Sequence, residues 1–352
     1  MQANRCAADH IQLITLFVQI VKPSVSLDQD NPAVRYWQEV FSVLAKVLES
    51  FLDFTPICER ICRCWRFIVI SYRTAMTPLL AEMANKLAHG FAISKQGCFL
   101  WVTGAILREF SEDREHVDDN ITESIYGFFE SQATTVLRVM SDLPATELPD
   151  VIEDFFRLLV DALLYYPHKL IPSPLFTPIF EAATSALALQ QRDPLSASLH
   201  YIRDLLSYGG PNPAQSGPPG PSSDLEQIVR QLLVDRGEML VKQVMAGMMI
   251  TFPPDCFADG SGALLGMFQL LPGPTTTWVD RTIHMLPAGT ITQVEANRVM
   301  AKIKERLQSA DTGDIRQVRA ILQDFTNTYR RRYVAPRDGL GQLEAARFHF
   351  AG

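Results

Sequence analysis

The spacing of apolar residues is what most constrains this chain. They recur at i, i+3, i+4 and i+7 through nearly the whole length and almost nowhere at every second position. That period puts one apolar stripe on each of a series of helices and leaves no segment patterned as a half-buried strand. Helices are expected over Ala8–Val21, Pro32–Phe51, Pro56–Tyr72, Thr77–Ile93, Gly97–Phe110, Asp118–Met140 and Leu148–Tyr166. They continue over Ser173–Leu189, Pro194–Ser207, Asp224–Met249, Pro253–Leu271, Thr275–Leu286, Thr292–Ala310 and Asp314–Arg332. The links between them are short and carry helix-stop and helix-start residues, such as Asp30-Asn31-Pro32, Asp193-Pro194 and Pro272-Gly273-Pro274. Short links force neighbouring helices to run antiparallel, and helix pairs of roughly 40 to 47 residues are the arithmetic of HEAT or armadillo stacks. The expected fold class is all-α, a HEAT-like α-α superhelical solenoid of about seven antiparallel helix pairs. An irregular helical bundle is the alternative left open by the weak sequence likeness of one pair to the next.

Domain organisation follows from the same reading. Residues 1–352 are expected to form a single HEAT-repeat solenoid, interrupted at 209–223 and followed by a tail over 333–352. The interruption, from Gly209-Gly210-Pro211 to Pro221-Ser222-Ser223, is crowded with Pro, Gly and Ser and lacks apolar residues whose burial would offset the cost of ordering, so a disordered loop is expected.

Composition matters here for what it excludes. A net charge of −7 argues against general affinity for nucleic acid or an anionic membrane, so an anion site has to be local. The most apolar windows, Ile11–Val21 and Phe67–Ile70, fall well short of the ~18 apolar residues that a membrane-spanning helix needs. Six cysteines without a signal peptide, three of them at Cys58, Cys62 and Cys64, read as reduced thiols and small buried hydrophobes rather than disulfides or a metal centre, since a structural zinc would need four ligands. No convergent set of nucleophile, base and acid appears, no Gly-x-Ser-x-Gly, no His-Glu-x-x-His and no Walker A pattern. The expectation is a binding protein, not an enzyme, with no catalytic residues, cofactor or metal.

The informative helix is the third. Arg60, Arg63 and Arg66 step by three residues and so drift about 60° per step along one side, and Arg73 is expected almost beneath Arg66, seven residues on. Ile61, Trp65, Ile68 and Val69 supply the opposite, apolar side. Four arginines and no lysine, in an acidic chain, suit phosphate: the planar guanidinium forks onto two oxygens and does not deprotonate. The alternative is a stripe that is simply solvated or paired with carboxylates of an adjacent repeat.

The run Glu59-Arg60-Ile61-Cys62-Arg63-Cys64-Trp65-Arg66-Phe67 resembles the arginine-rich helix of the transportin-SR (transportin-3) branch of the importin-β nuclear import receptors. Ala8-Asp9-His10-Ile11, Gln96-Gly97-Cys98-Phe99-Leu100-Trp101, Asp154-Phe155-Phe156-Arg157-Leu158, Arg203-Asp204-Leu205-Leu206 and Asp324-Phe325-Thr326 resemble the same family in the same order. The resemblance implies a karyopherin whose concave surface binds serine/arginine-rich, often phosphorylated, RNA-binding protein cargo, passes the nuclear pore through nucleoporins and releases the cargo to RanGTP. It implies shuttling between cytoplasm and nucleus. It assigns cargo binding to Arg60, Arg63 and Arg66; a further arginine common in that helix falls at Ile70 here, with Arg73 one turn later. Receptors of this family are far longer, with the main Ran contacts in N-terminal repeats, so the chain is expected to be a C-terminal portion whose first helix exposes an apolar face that would otherwise pack on a preceding helix. A non-transport helical-repeat scaffold gripping a partner helix is the competing reading.

Overall fold

The computed structural model of the protein describes residues 2–21, 32–113, 117–211, 213, 222–287, 289–308 and 312–334. Among them every regular element is helical and no strand is present. The contacts divide the chain into two compact units, Met1–Leu170 and Ile171–Gly352.

The first unit holds α1 (Gln2–Ile20), α2 (Pro32–Ser50), α3 (Thr55–Tyr72), α4 (Thr77–Ser94), α5 (Cys98–Glu112), α6 (Asp119–Asp142), α7 (Pro149–Tyr165) and the single turn α8 (Pro167–Leu170). Their starts follow from the sequence. Pro56, Pro78 and Pro149 sit in the first turns of α3, α4 and α7, where a missing N–H costs nothing. Asp118 caps α6 by accepting the N–H of Ile121 at 2.7 Å. The helices form two layers. α1, α3, α5 and α7 pack side by side, and α2, α4 and α6 lie against them. Alternate helices of an antiparallel array run in the same direction, so α3, α5 and α7 are parallel to one another.

The core of this unit lies between the layers. Trp65 of α3 is fully buried with its ring 4.7 Å from that of Phe41 in α2, and Phe91, Phe99, Phe129, Phe155 and Phe156 continue the apolar seam. Burying one such side chain contributes roughly 1.5–3 kcal/mol, which explains why tertiary packing, rather than propensity, holds a helix as rich in β-branched residues as α3. Cys58, Cys62, Cys64 and Cys98 are free thiols buried in the same seam. Burial pushes the Cys64 thiol up to about 11.

α1 is different. Leu13, Leu16, Phe17 and Ile20, spaced i, i+3, i+4 and i+7, are 41–78% exposed. Its packed side carries Ile11 and Val18, so this helix has a second apolar stripe that faces solvent.

The second unit holds α9 (Phe176–Ala186), α10 (Arg192–Ser207), α11 (Ser222–Ala246), α12 (Phe257–Leu270), α13 (Pro272–His284), α14 (Gln293–Gln308) and α15 (Thr312–Tyr333). α10 packs on α9 and α12, α11 on α13, and α14 on α15. α11 ends in a π-helical turn, Gly247–Thr251. Ser222 and Ser223 lie in α11 and Tyr333 in α15, inside the bounds 209–223 and 333–352 given to the loop and the tail. Residues 212, 214–221 and 335–352, on which most of the expected loop and tail falls, lie outside the described residues.

A charged groove on the α1–α3–α5–α7 layer

The three arginines of α3 fan across its solvent side, as a step of three residues dictates. Arg60 points toward α1, where its guanidinium donates to the side-chain oxygen of Gln12. Arg63, in the middle, is exposed and lies over the Trp101 ring of α5, 6.0 Å from its centroid. Arg66 turns toward α5 and α7. Burial first, and then the positive charge of Arg108, hold its guanidinium below the usual arginine value, while Asp161 and Asp154 act the other way. It stays charged, because arginine has no accessible neutral state.

Arg73 does not join them. The helix stops at Tyr72, and Arg73 takes a left-handed φ of 45°, a conformation that costs a residue with a Cβ free energy. The chain therefore turns away before Arg73 can return beneath Arg66. Its guanidinium instead meets Glu109 at 3.2 Å and Glu112 at 3.9 Å, both at the end of α5. The acids explain the departure: Glu109 is 5% exposed, and a buried carboxylate requires a cation. The sequence periodicity could not reveal a partner on another helix.

Arg63 and Arg66 open onto a groove of about 450 Å³ that spans the layer from α1 to α7. Sequence reasoning about α3 alone missed most of its charge. α5 contributes Arg108, and α7 contributes Arg157, Asp154 and Asp161. Two glycines make the crossing close enough for these acids. A Cβ on Gly104 would lie 2.9 Å from Asp161 Oδ2, and one on Gly97 would overlap Asp154 Oδ2. The pairs Gly97/Gly104 and Asp154/Asp161 are each seven residues apart, two turns of helix, so α5 and α7 meet in register. That matching interval is the signal in the sequence that could have found the two aspartates.

Neither aspartate is well matched inside the protein. Asp154 is 8% exposed, with Arg157 at 3.9 Å and a hydrogen bond from Trp101. Asp161 is 25% exposed, with Arg108 at 3.8 Å. Burial outweighs these partners and pushes both carboxyls up to about 6. A second hollow of about 340 Å³ adjoins the groove at Trp101, Asp154 and Arg157, and it is lined by Glu59, Glu147, Asp150 and Glu153. Among the described residues no group of His, Cys, Asp and Glu side chains is arranged to hold a metal. No helix among them is long and apolar enough to cross a membrane.

Among the described residues an all-helical array of antiparallel pairs is the architecture of an α-α repeat fold, and the comparisons with known proteins agree. A solved structure described as importin-13 in its cytosolic state superposes with a TM-score of 0.73 over 94% of this chain and 35% of its own, at 13% identity. The fold is therefore the HEAT-like helical solenoid expected from the sequence. Residues 31–136, which include α3 and α5, match the Transportin-3/Importin-13 fourth TPR domain, a family of paired-helix repeats. An uncharacterized protein of Schizosaccharomyces pombe is 32% identical over 94% of this chain and 34% of its own length. The mRNA transport regulator MTR10 of Saccharomyces cerevisiae is 22% identical over 94% of this chain and 36% of its own, and human importin-13 is 22% identical over 84% and 28%. The chain spans about a third of the length of the curated relatives it matches. Over residues 31–136 the chain is thus similar to the Transportin-3/Importin-13 family, and the matches do not single out the transportin-3 branch.

Proposed function

We propose that this chain is part of a nuclear import receptor of the transportin-SR type and that its α3 grips serine/arginine-rich, phosphorylated segments of RNA-binding protein cargo. The observation that carries the reading is the groove itself. Arg63 and Arg66 face it together with Arg108 and Arg157, while Arg60 is held at its α1 side by Gln12. A guanidinium cluster in a concave, partly desolvated site suits phosphate dianions, each with about −1.5 to −2 charges. Arg73, engaged with Glu109 and Glu112 at the end of the helix, lies outside this groove.

In this reading the whole receptor carries its cargo through the nuclear pore by way of nucleoporins, yields it to RanGTP and shuttles between cytoplasm and nucleus, acting by binding and not by catalysis. Similarity to the mRNA transport regulator and to importin-13 supports it.

The test is fluorescence anisotropy with a labelled Arg-Ser repeat peptide, phosphorylated and unphosphorylated, against the wild-type chain and the Arg60→Ala/Arg63→Ala/Arg66→Ala variant. Charge-assisted hydrogen bonds contribute about 1.5–3 kcal/mol each, so losing three should remove measurable binding of the phosphorylated peptide. A folded triple variant that binds as well as the wild type would refute the assignment.

A further inference from the structure

Arg63 is the arginine of α3 that ordinary polar contacts do least to hold. Arg60 is tied to Gln12, and Arg66 is partly buried against α5 and α7. Arg63 is exposed, and among the described residues it makes no hydrogen bond and no ion pair. What it meets is Trp101 of α5, with the centre of its guanidinium 6.0 Å from the centroid of the indole. Of the aromatic side chains tryptophan attracts a cation most strongly, and a planar guanidinium lies well on its face. A long side chain gives up rotational freedom when it binds a ligand. An arginine already resting on a ring has given up part of it beforehand.

Trp101 is itself held. Gly97, Trp101, Gly104 and Arg108 follow one another at helical spacing and form one stripe along α5. With a glycine one turn to either side, the indole has no side chain of that stripe to lean on. Its fixed point is on α7: the indole N–H donates to the carboxylate of Asp154. Gly97 makes that bond reachable, because a Cβ there would overlap Asp154 Oδ2. Held by its N–H on one side, the half-buried ring stands between the groove and the adjoining hollow and meets Arg63 on the other. We infer that Trp101 is a positioning residue for phosphate binding: by cation–π attraction it fixes the Arg63 guanidinium at the groove before a phosphate arrives. This rests on the cargo reading above and adds to it a residue that acts through Arg63 and not by touching the peptide.

The experiment is a double-mutant cycle on the affinity for a labelled, phosphorylated Arg-Ser peptide, comparing wild type, Trp101→Leu, Arg63→Ala and the two together. Low ionic strength keeps binding measurable after the loss of one arginine. Trp101→Leu should weaken binding about three- to tenfold. In the Arg63→Ala background the same substitution should change affinity by less than about twofold, since its effect has to pass through Arg63. A loss of the same size with and without Arg63 would mean that the substitution acts on the packing of α5, and it overturns the inference. Trp101→Phe keeps a ring with a weaker face and carries the same cycle should Trp101→Leu fail to fold: a loss of about two- to threefold that vanishes without Arg63 is expected. No loss, or the same loss without Arg63, overturns the proposal. Arg63→Ala alone separates the two readings. If it weakens binding while Trp101→Leu does not, the cargo reading stands and the positioning role falls; if it leaves affinity unchanged, both fall.

Discussion

Asp161→Asn should make the protein more stable at neutral pH. The carboxyl lies on α7 against the Gly104 gap, 25% exposed, and its folded-state value of about 6 stands roughly 2 units above the ordinary 3.8, because burial outweighs the attraction of Arg108 and Arg66. Each unit corresponds to about 1.4 kcal/mol of preference for the neutral form, so ionisation costs the fold up to about 3 kcal/mol. The direction in pH follows. A carboxyl raised on folding contributes stability that is fully present below its unfolded value and is lost as pH rises through its folded value, here between about 4 and about 6. Asparagine keeps the shape and carries no charge at any pH. Urea denaturation of wild type and variant at pH 7.5 and pH 4 reads the difference, since the other carboxyls cancel between the two proteins. The variant should be more stable by about 1–3 kcal/mol at the higher pH, with the gap narrowing toward zero at the lower. A variant less stable at pH 7.5 would mean that the ion pair with Arg108 and the attraction of Arg66 outweigh desolvation, and the reasoning from burial would fail.

Glu109→Gln leaves Arg73 and Arg108 without the buried carboxylate that they share at 3.2 and 3.3 Å. Both arginines are partly solvated, so the loss should be about 1–2 kcal/mol rather than the larger cost of breaking a fully buried pair, with faster amide exchange in the Arg73–Met76 turn as its local sign. The exposed stripe of α1 should drive self-association: Phe17→Glu/Ile20→Glu is expected to shift the sedimentation-velocity profile toward monomer, and a wild type already monomeric at high concentration would contradict this.

The helices were legible because each carries its own period, and Pro56, Pro78 and Pro149 announce their own first turns. The arginine fan on α3 was legible for the same reason, being a property of one helix. What the sequence hid is what depends on two. Arg73 reads as the next member of the stripe until Glu109, 36 positions later, claims it. Asp154 and Asp161 read as ordinary polar positions on an amphipathic helix until Gly97 and Gly104 bring them to the groove. Periodicity along one helix reports which side is buried, and it carries no information about which neighbour faces that side.

The central claim is that α3 binds phosphate by charge in a concave site. Its most direct test is the salt dependence of affinity for the phosphorylated Arg-Ser peptide, from low to physiological ionic strength, in the wild type and in Arg60→Ala/Arg63→Ala/Arg66→Ala. The account predicts affinity that falls steeply with salt in the wild type and no measurable binding at any of these ionic strengths in the folded variant. Binding insensitive to both salt and the three substitutions would contradict it and favour a helical-repeat scaffold that holds a neutral partner helix.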